Sequence, residues 1–191
     1  MRKTSILLFF SILLVCPLHG QNNEKKNQPV NPHSVYTDPL LPFFKLVIVN
    51  YSYRFNEKDE VILGLTASRA ETTPTKYLEY PGHVTSLGAI TGYRRYLFKG
   101  LHADFWLMPA YGSAYERDEN QYYKGFSLYN EFRLGYTFDI ERFQIPLLLH
   151  LQWPLGFSLL DTNKPESFRE LDRQDPLFYI FIPNTWFGLR F

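Results

Sequence analysis

Along most of this chain apolar residues recur at every second position. In one stretch Ile145, Leu147, Leu149, Leu151, Trp153, Leu155, Phe157 and Leu159 hold the odd places. Gln144, Pro146, Leu148, His150, Gln152, Pro154, Gly156 and Ser158 hold the even ones. Successive side chains of a strand point to opposite faces, so the stretch predicts a strand with one apolar face and one mostly polar or small face. Its two prolines predict a bend or bulge, because proline has no N–H for the ladder. The same alternation sets Val61, Leu63, Leu65 and Ala67 against Gly64, Thr66 and Ser68, and Leu101, Ala103, Phe105, Leu107 and Tyr111 against His102, Asp104, Trp106 and Gly112. It also sets Phe126, Leu128, Phe132, Leu134 and Tyr136 against Ser127, Glu131, Arg133, Gly135 and Thr137. Strands are expected near 43–55, 60–70, 84–98, 101–115, 123–138, 143–159 and 177–191, with no helical stripe between them.

The connections alternate in length. Those at 56–59, 99–100 and 139–142 are short, whereas 71–83, 116–122 and 160–176 are longer and polar. That alternation suits an antiparallel up-and-down transmembrane β-barrel, whose short turns lie on the periplasmic side. Single-chain bacterial barrels use even strand numbers, so the seven clear strands call for an eighth. Val35-Tyr36-Thr37, ahead of the turn Asp38-Pro39-Leu40-Leu41-Pro42, is the candidate. The expected fold is all-β, an eight-stranded barrel over 34–191.

Alternation alone does not say which face is inside. A soluble lipocalin-like barrel turns its apolar face inward around a lipid, and a membrane barrel turns it outward. Aromatic positions favour the second. With the short turns at the bottom, the descending strands carry Tyr51, Tyr53 and Phe55; Tyr93, Tyr96 and Phe98; Tyr136 and Phe138; and Phe187 and Phe191 at their lower ends. Such a ring suits the membrane interface, where aromatic bodies are buried and polar tips are wet. Tyr111, Tyr115 and Phe157 are candidates for an upper girdle.

Composition narrows the class further. The chain has 191 residues, with 18% aromatics beside a mean hydropathy of −0.25. That pairing disfavours both disorder and a helical membrane protein. Basic and acidic residues number 20 and 19, which gives no electrostatic reason to expect nucleic acid. Arg2 and Lys3 precede an apolar run from Ile6 to Val15, too short to span a bilayer, and Pro17-Leu18-His19-Gly20 leads into Gln21. This predicts a secretory signal peptide over 1–20, followed by a flexible polar leader over 21–33. Cleavage ahead of the single cysteine, Cys16, as in a lipoprotein, fits less well because Val15 is not small and Pro17 follows at once.

The last residues, Thr185-Trp186-Phe187-Gly188-Leu189-Arg190-Phe191, end on an aromatic with Phe187 and Leu189 at alternate places before it. This resembles the C-terminal assembly signal of bacterial outer-membrane barrels. With the signal peptide and the strand series, residues 34–191 resemble the small, uncharacterised outer-membrane barrels common in Bacteroidota. The resemblance implies a fold and an outer-membrane address, with the barrel-insertion machinery as the assembly partner and Phe187, Leu189 and Phe191 as the signal. It implies no activity.

No Gly-rich phosphate loop, Cys/His metal cluster or nucleophile elbow occurs in the sequence, so no cofactor or metal is expected. The polar face offers Arg54, Arg94, His102, Asp104, Glu131, Arg133, His150 and Arg190. Inside a barrel these charges must pair. Register makes Arg133 with Glu131, and Arg94 with Asp104, the natural pairs, which predicts a salt-bridged plug and a narrow or closed lumen. The competing reading is a lipid A-modifying barrel enzyme, for which His102 with Asp104, His150 with Ser158, or His83 would have to serve. His102 falls near the periplasmic end, however, and the His-x-Ser pattern of the deacylases is missing. No catalysis is expected. The charged stretch 164–173 is expected as an outward loop, solvated or binding a partner, lipopolysaccharide or a divalent ion. A monomer among outer-membrane lipid and lipopolysaccharide is expected, with a soluble periplasmic lipid-carrying barrel as the remaining alternative.

Overall fold

The computed structural model describes residues 31–140, 146–162, 164–179 and 183–191. The expected signal peptide, the expected leader up to residue 30 and the start of the strand expected over 143–159 lie outside them. The described residues form nine strands and one α-helix: β1 (His33–Thr37), β2 (Leu46–Arg54), β3 (Asp59–Thr72), β4 (Glu79–Phe98), β5 (Leu101–Glu116), β6 (Gln121–Ile140), β7 (Leu147–Asp161), α1 (Glu166–Gln174), β8 (Phe178–Tyr179) and β9 (Asn184–Arg190). Every pairing is antiparallel. Strands β1 to β7 pair in chain order, and β9 joins β7 back to β1, so eight strands close a ring in a β-barrel-like arrangement. Closure leaves none of the eight with a free edge along its whole length.

Val35-Tyr36-Thr37 does supply the missing strand, which begins one residue before the expected boundary. Other limits move for local reasons. Residues 41–44 form a 3-10 turn led by Pro42 and ended by left-handed Lys45 (φ 57°), so β2 starts at Leu46 rather than at 43. Strands β5 and β6 run on until only 117–120 separates them, so the long loop expected at 116–122 is a tight turn. The strand expected over 177–191 is split. β8 pairs with Leu155 and Gly156, β9 pairs lower on β7, and Pro183, which has no N–H to give a ladder, precedes β9. The irregularity of β7 against β6 falls where Tyr129 meets Ser158, not at Pro154.

Pairing fixes the tilt. One hydrogen-bonded row leads from Leu147 through Leu189, Val35, Tyr51, Leu63, Thr91, Leu107 and Asn130 and returns to β7 at Phe157, ten residues further on. For eight strands a stagger of this size means a tilt of roughly 35–45°.

Alternation then separates two surfaces. Even-numbered side chains of β2, β3, β4, β5 and β7, such as Ile48, Asn50, Glu60, Ile62, Arg94, Asp104, His150 and Gln152, are buried inside the ring. Their odd-numbered neighbours face out, and Leu63, Leu65 and Leu87 are 55%, 68% and 67% exposed. The apolar face is therefore the outer wall. The interior holds polar groups around an apolar layer that includes Ile48, Ile62, Ile90, Trp106, Met108 and Trp186, with a second apolar cluster of Tyr80, Val84, Ala114 and Phe168 toward the loop end.

Candidate functional site

The most concentrated chemistry lies inside the ring, toward the short-turn end. Arg94 of β4 stands at its centre and is fully buried. Its Nε and Nη2 donate to the two carboxylate oxygens of Asp104 on β5, each at 2.9 Å. Its Nη1 reaches Glu60 Oε1 on β3 at 3.2 Å. A two-pronged guanidinium–carboxylate contact fixes orientation as well as charge. Tyr96 donates its hydroxyl to the other oxygen of Glu60 at 2.9 Å.

Two histidines complete the cluster, and one assignment of their protons satisfies the neighbours around both. His102 Nδ1 donates to the Gly100 carbonyl at 3.1 Å, and its Nε2 accepts from Gln152 Nε2 at 3.2 Å. His150 Nε2 accepts from Arg94 Nη1 at 3.2 Å, and its Nδ1 donates to Thr137 Oγ1 at 2.7 Å. Gln152 links the two halves of the network. It donates to Asp104 Oδ2 at 2.8 Å, and its Oε1 accepts from Arg133 Nη1 at 3.1 Å. Arg133 donates from Nε to Glu131 at 2.7 Å and lies 3.6 Å from the centre of the Trp106 ring. Glycine makes room for this cluster. A Cβ on Gly135 would fall 2.6 Å from His102 Nε2, and one on Gly156 would fall 2.7 Å from the Glu131 side chain.

Six of the eight charged or imidazole groups expected inside thus meet in one network: Arg94, His102, Asp104, Glu131, Arg133 and His150. Both pairs expected from register form. Arg54 and Arg190 stand at its margin. Arg54 lies over the Tyr96 ring at 4.1 Å and donates to the Glu57 carbonyl, while Arg190 bridges to Asp139 at 2.6 Å. One expected girdle residue belongs here instead. Tyr96 is 5% exposed and points inward, because it shares the parity of Arg94 and not that of Tyr93. Tyr51, Tyr53, Phe55, Tyr93, Phe98, Tyr136, Phe138 and Phe187 lie on the outer wall or at its lower edge. Glu60, Thr137 and Gln152 are not among the groups expected inside, yet each shares the parity of its strand's inward residues.

The other end of the ring is capped. The charged stretch at 164–173 is not a solvated loop, since most of it folds as α1, which turns Phe168 into the mouth. There Phe168 is fully buried and stacks on Tyr80 at 4.7 Å. Phe168 and Leu171, three apart, give this nine-residue helix its apolar side. Lys164 bridges Asp161 at 3.2 Å and Asp172 at 2.8 Å, and Ser167 donates to Glu116 at 2.7 Å. Asp175 closes the clasp by accepting the N–H groups of Thr75 and Lys76, both at 2.7 Å.

Burial raises the Asp175 carboxyl, but the Lys76 and Thr75 N–H bonds outweigh it and hold its pKa below the ordinary 3.8. A carboxyl depressed in the native state stabilises the clasp fully above the unfolded value and loses that contribution as pH falls through the depressed one. Amide exchange at Thr75 and Lys76, corrected for intrinsic rates, is expected to stay protected from pH 7 to about 5 and to lose protection below about 4. Asp175→Ala, which removes the acceptor oxygen, should expose both amides at every pH. Loss of protection in the native protein already near pH 6 would contradict the assignment.

Compared with known proteins, the chain matches no family profile, no curated protein and no solved structure.

Proposed function

We propose that this chain is an integral outer-membrane β-barrel of a Gram-negative envelope, closed along its axis, with a structural or surface-binding role and no catalysis. The observation that carries the reading is the outer wall. On β5 the outward series Leu101, Ala103, Phe105, Leu107, Pro109 and Tyr111 contains no charge. It spans ten residue steps, and at ~3.3 Å per step with a tilt near 40° it stands about 25 Å tall. That is the height of the apolar band on outer-membrane barrels. A soluble lipid carrier needs the reverse, an apolar and roomy interior. This interior instead carries Arg94 with Glu60 and Asp104, and Arg133 with Glu131, in one network linked by Gln152.

Closure supports the structural role. The charge network fills the turn end, the Trp106–Trp186 layer fills the middle and Phe168 stops the loop end. His102 and His150 are fully buried, and the ring nitrogens of each are taken up by protein partners, which leaves a substrate no approach to them.

Membrane fractionation and gel electrophoresis with and without boiling test the reading. A closed membrane barrel keeps its fold in detergent until heated. An outer-membrane band that migrates differently before boiling is the expected result. A soluble periplasmic band with no shift would overturn the proposal.

A further inference from the structure

The wall between β3 and β4 parts at its loop end. Ala70 pairs with Val84 but Thr72 with Glu79, so two steps along β3 are matched by five along β4. Residues 80–83 leave β3 there, while Gly82 and His83 stay paired with Glu116 and Tyr115 of β5. The parting opens a cleft of about 350 Å³ bordered by Arg69, Glu71, Glu79, Gly82, His83 and Arg117, among others. This volume lies near the lower limit of small-molecule sites, roughly 300–1,000 Å³, and suits a headgroup rather than a protein segment.

The charge in and around the cleft favours an anion. Lys45 and Arg69 share one carboxylate, Glu71, at 2.8 and 3.4 Å. Within the lining Arg69 and Arg117 balance Glu71 and Glu79; Lys45, outside it, neutralises Glu71, which leaves Arg69 and Arg117 against Glu79 before His83 is counted. Guanidinium forks match phosphate geometry. The surroundings add an apolar requirement. Arg69 belongs to an outward row with Thr85, Ser113 and Lys124, whereas the next row toward the turn end is Val47, Ala67, Leu87, Tyr111 and Phe126. A ligand seated here has its anionic part at a polar row and its remainder against the exposed faces of Leu65 and Leu87.

We propose that this cleft binds the phosphate of an outer-leaflet lipid headgroup, with Arg69 and Arg117 clamping the phosphate and the acyl chains lying along Leu65 and Leu87. The inference rests on the membrane reading above. A free phosphate ion offers the same oxygens, so the test must separate the two sources.

The protein is refolded in phosphatidylcholine vesicles, in the same vesicles with added lipid A, in vesicles with phosphatidylglycerol of equal charge, and in phosphatidylcholine with inorganic phosphate. The temperature at which the folded gel band disappears is then read. The expected result is a rise of about 2–4 °C with lipid A, little with phosphatidylglycerol, and none with inorganic phosphate. Arg69→Gln/Arg117→Gln should lose the rise while matching the native protein in phosphatidylcholine. No difference between lipid A and phosphatidylglycerol in the native protein overturns the site even if the variant folds poorly. An equal rise with inorganic phosphate assigns the cleft to the free ion and overturns the lipid. Absence of a heat-modifiable band in every vesicle is a different failure, that of the membrane reading itself.

Discussion

Arg94→Leu is expected to destabilise the folded protein by about 3–5 kcal/mol, the cost of leaving buried carboxylates without their cation. Asp104 would lose both of its guanidinium bonds, and Glu60 would keep only the Tyr96 hydroxyl. The double variant Arg94→Leu/Asp104→Leu should cost clearly less than the sum of the two single changes, since a removed pair leaves fewer stranded charges than a broken one. Arg95, the next residue, is the control. Its side chain is 41% exposed and meets Asp59 at 3.1 Å on the outer wall. Exposed pairs contribute at most about 1 kcal/mol, so Arg95→Leu should shift the unfolding midpoint little. Urea titrations of the refolded protein in detergent micelles compare the four variants. Equal effects at positions 94 and 95 would mean that the inward network does not hold the ring together.

That contrast between neighbouring arginines shows what the sequence makes legible. Parity along a strand assigns a face, so the pairs Arg94–Asp104 and Arg133–Glu131 follow from alternation once adjacent strands are set in register. The same parity would have brought in Glu60 and Gln152. It would also have removed Tyr96 from the outer girdle, where its place near a strand end had put it. Nothing in the alternation marks the parting of β3 from β4, because Thr72 pairing with Glu79 depends on how the two strands separate above Ala70 and Val84. Helix α1 is hidden for another reason. Its apolar side is only Phe168 and Leu171 among charged residues, too short a stripe to stand out, and it is held by contacts to Tyr80, Glu116 and the 73–78 loop that lie far away in sequence.

Deleting Phe191 is expected to have the second large effect, for two separable reasons. The residue closes the ring at its seam. His33 donates its N–H to the Phe191 carbonyl at 3.0 Å, the Phe191 N–H donates to the His33 carbonyl at 2.8 Å, and the two rings stack at 5.9 Å. Truncation removes both backbone bonds at the last rung between β1 and the C-terminal strand, each worth about 0.5–1.5 kcal/mol net. The same residue is the terminal aromatic of the proposed assembly signal. Phe191→Ala distinguishes the two roles, because it keeps both backbone bonds and discards the aromatic. In cells, both variants are expected to yield much less heat-modifiable protein in the outer membrane than the native chain. After refolding from urea into micelles, where no insertion machinery acts, Phe191→Ala should fold nearly as well as the native protein and the truncation should be measurably less stable. Normal insertion of Phe191→Ala in cells would confine the role of this residue to the seam. Equal impairment of both variants in micelles would remove the reason to invoke a signal.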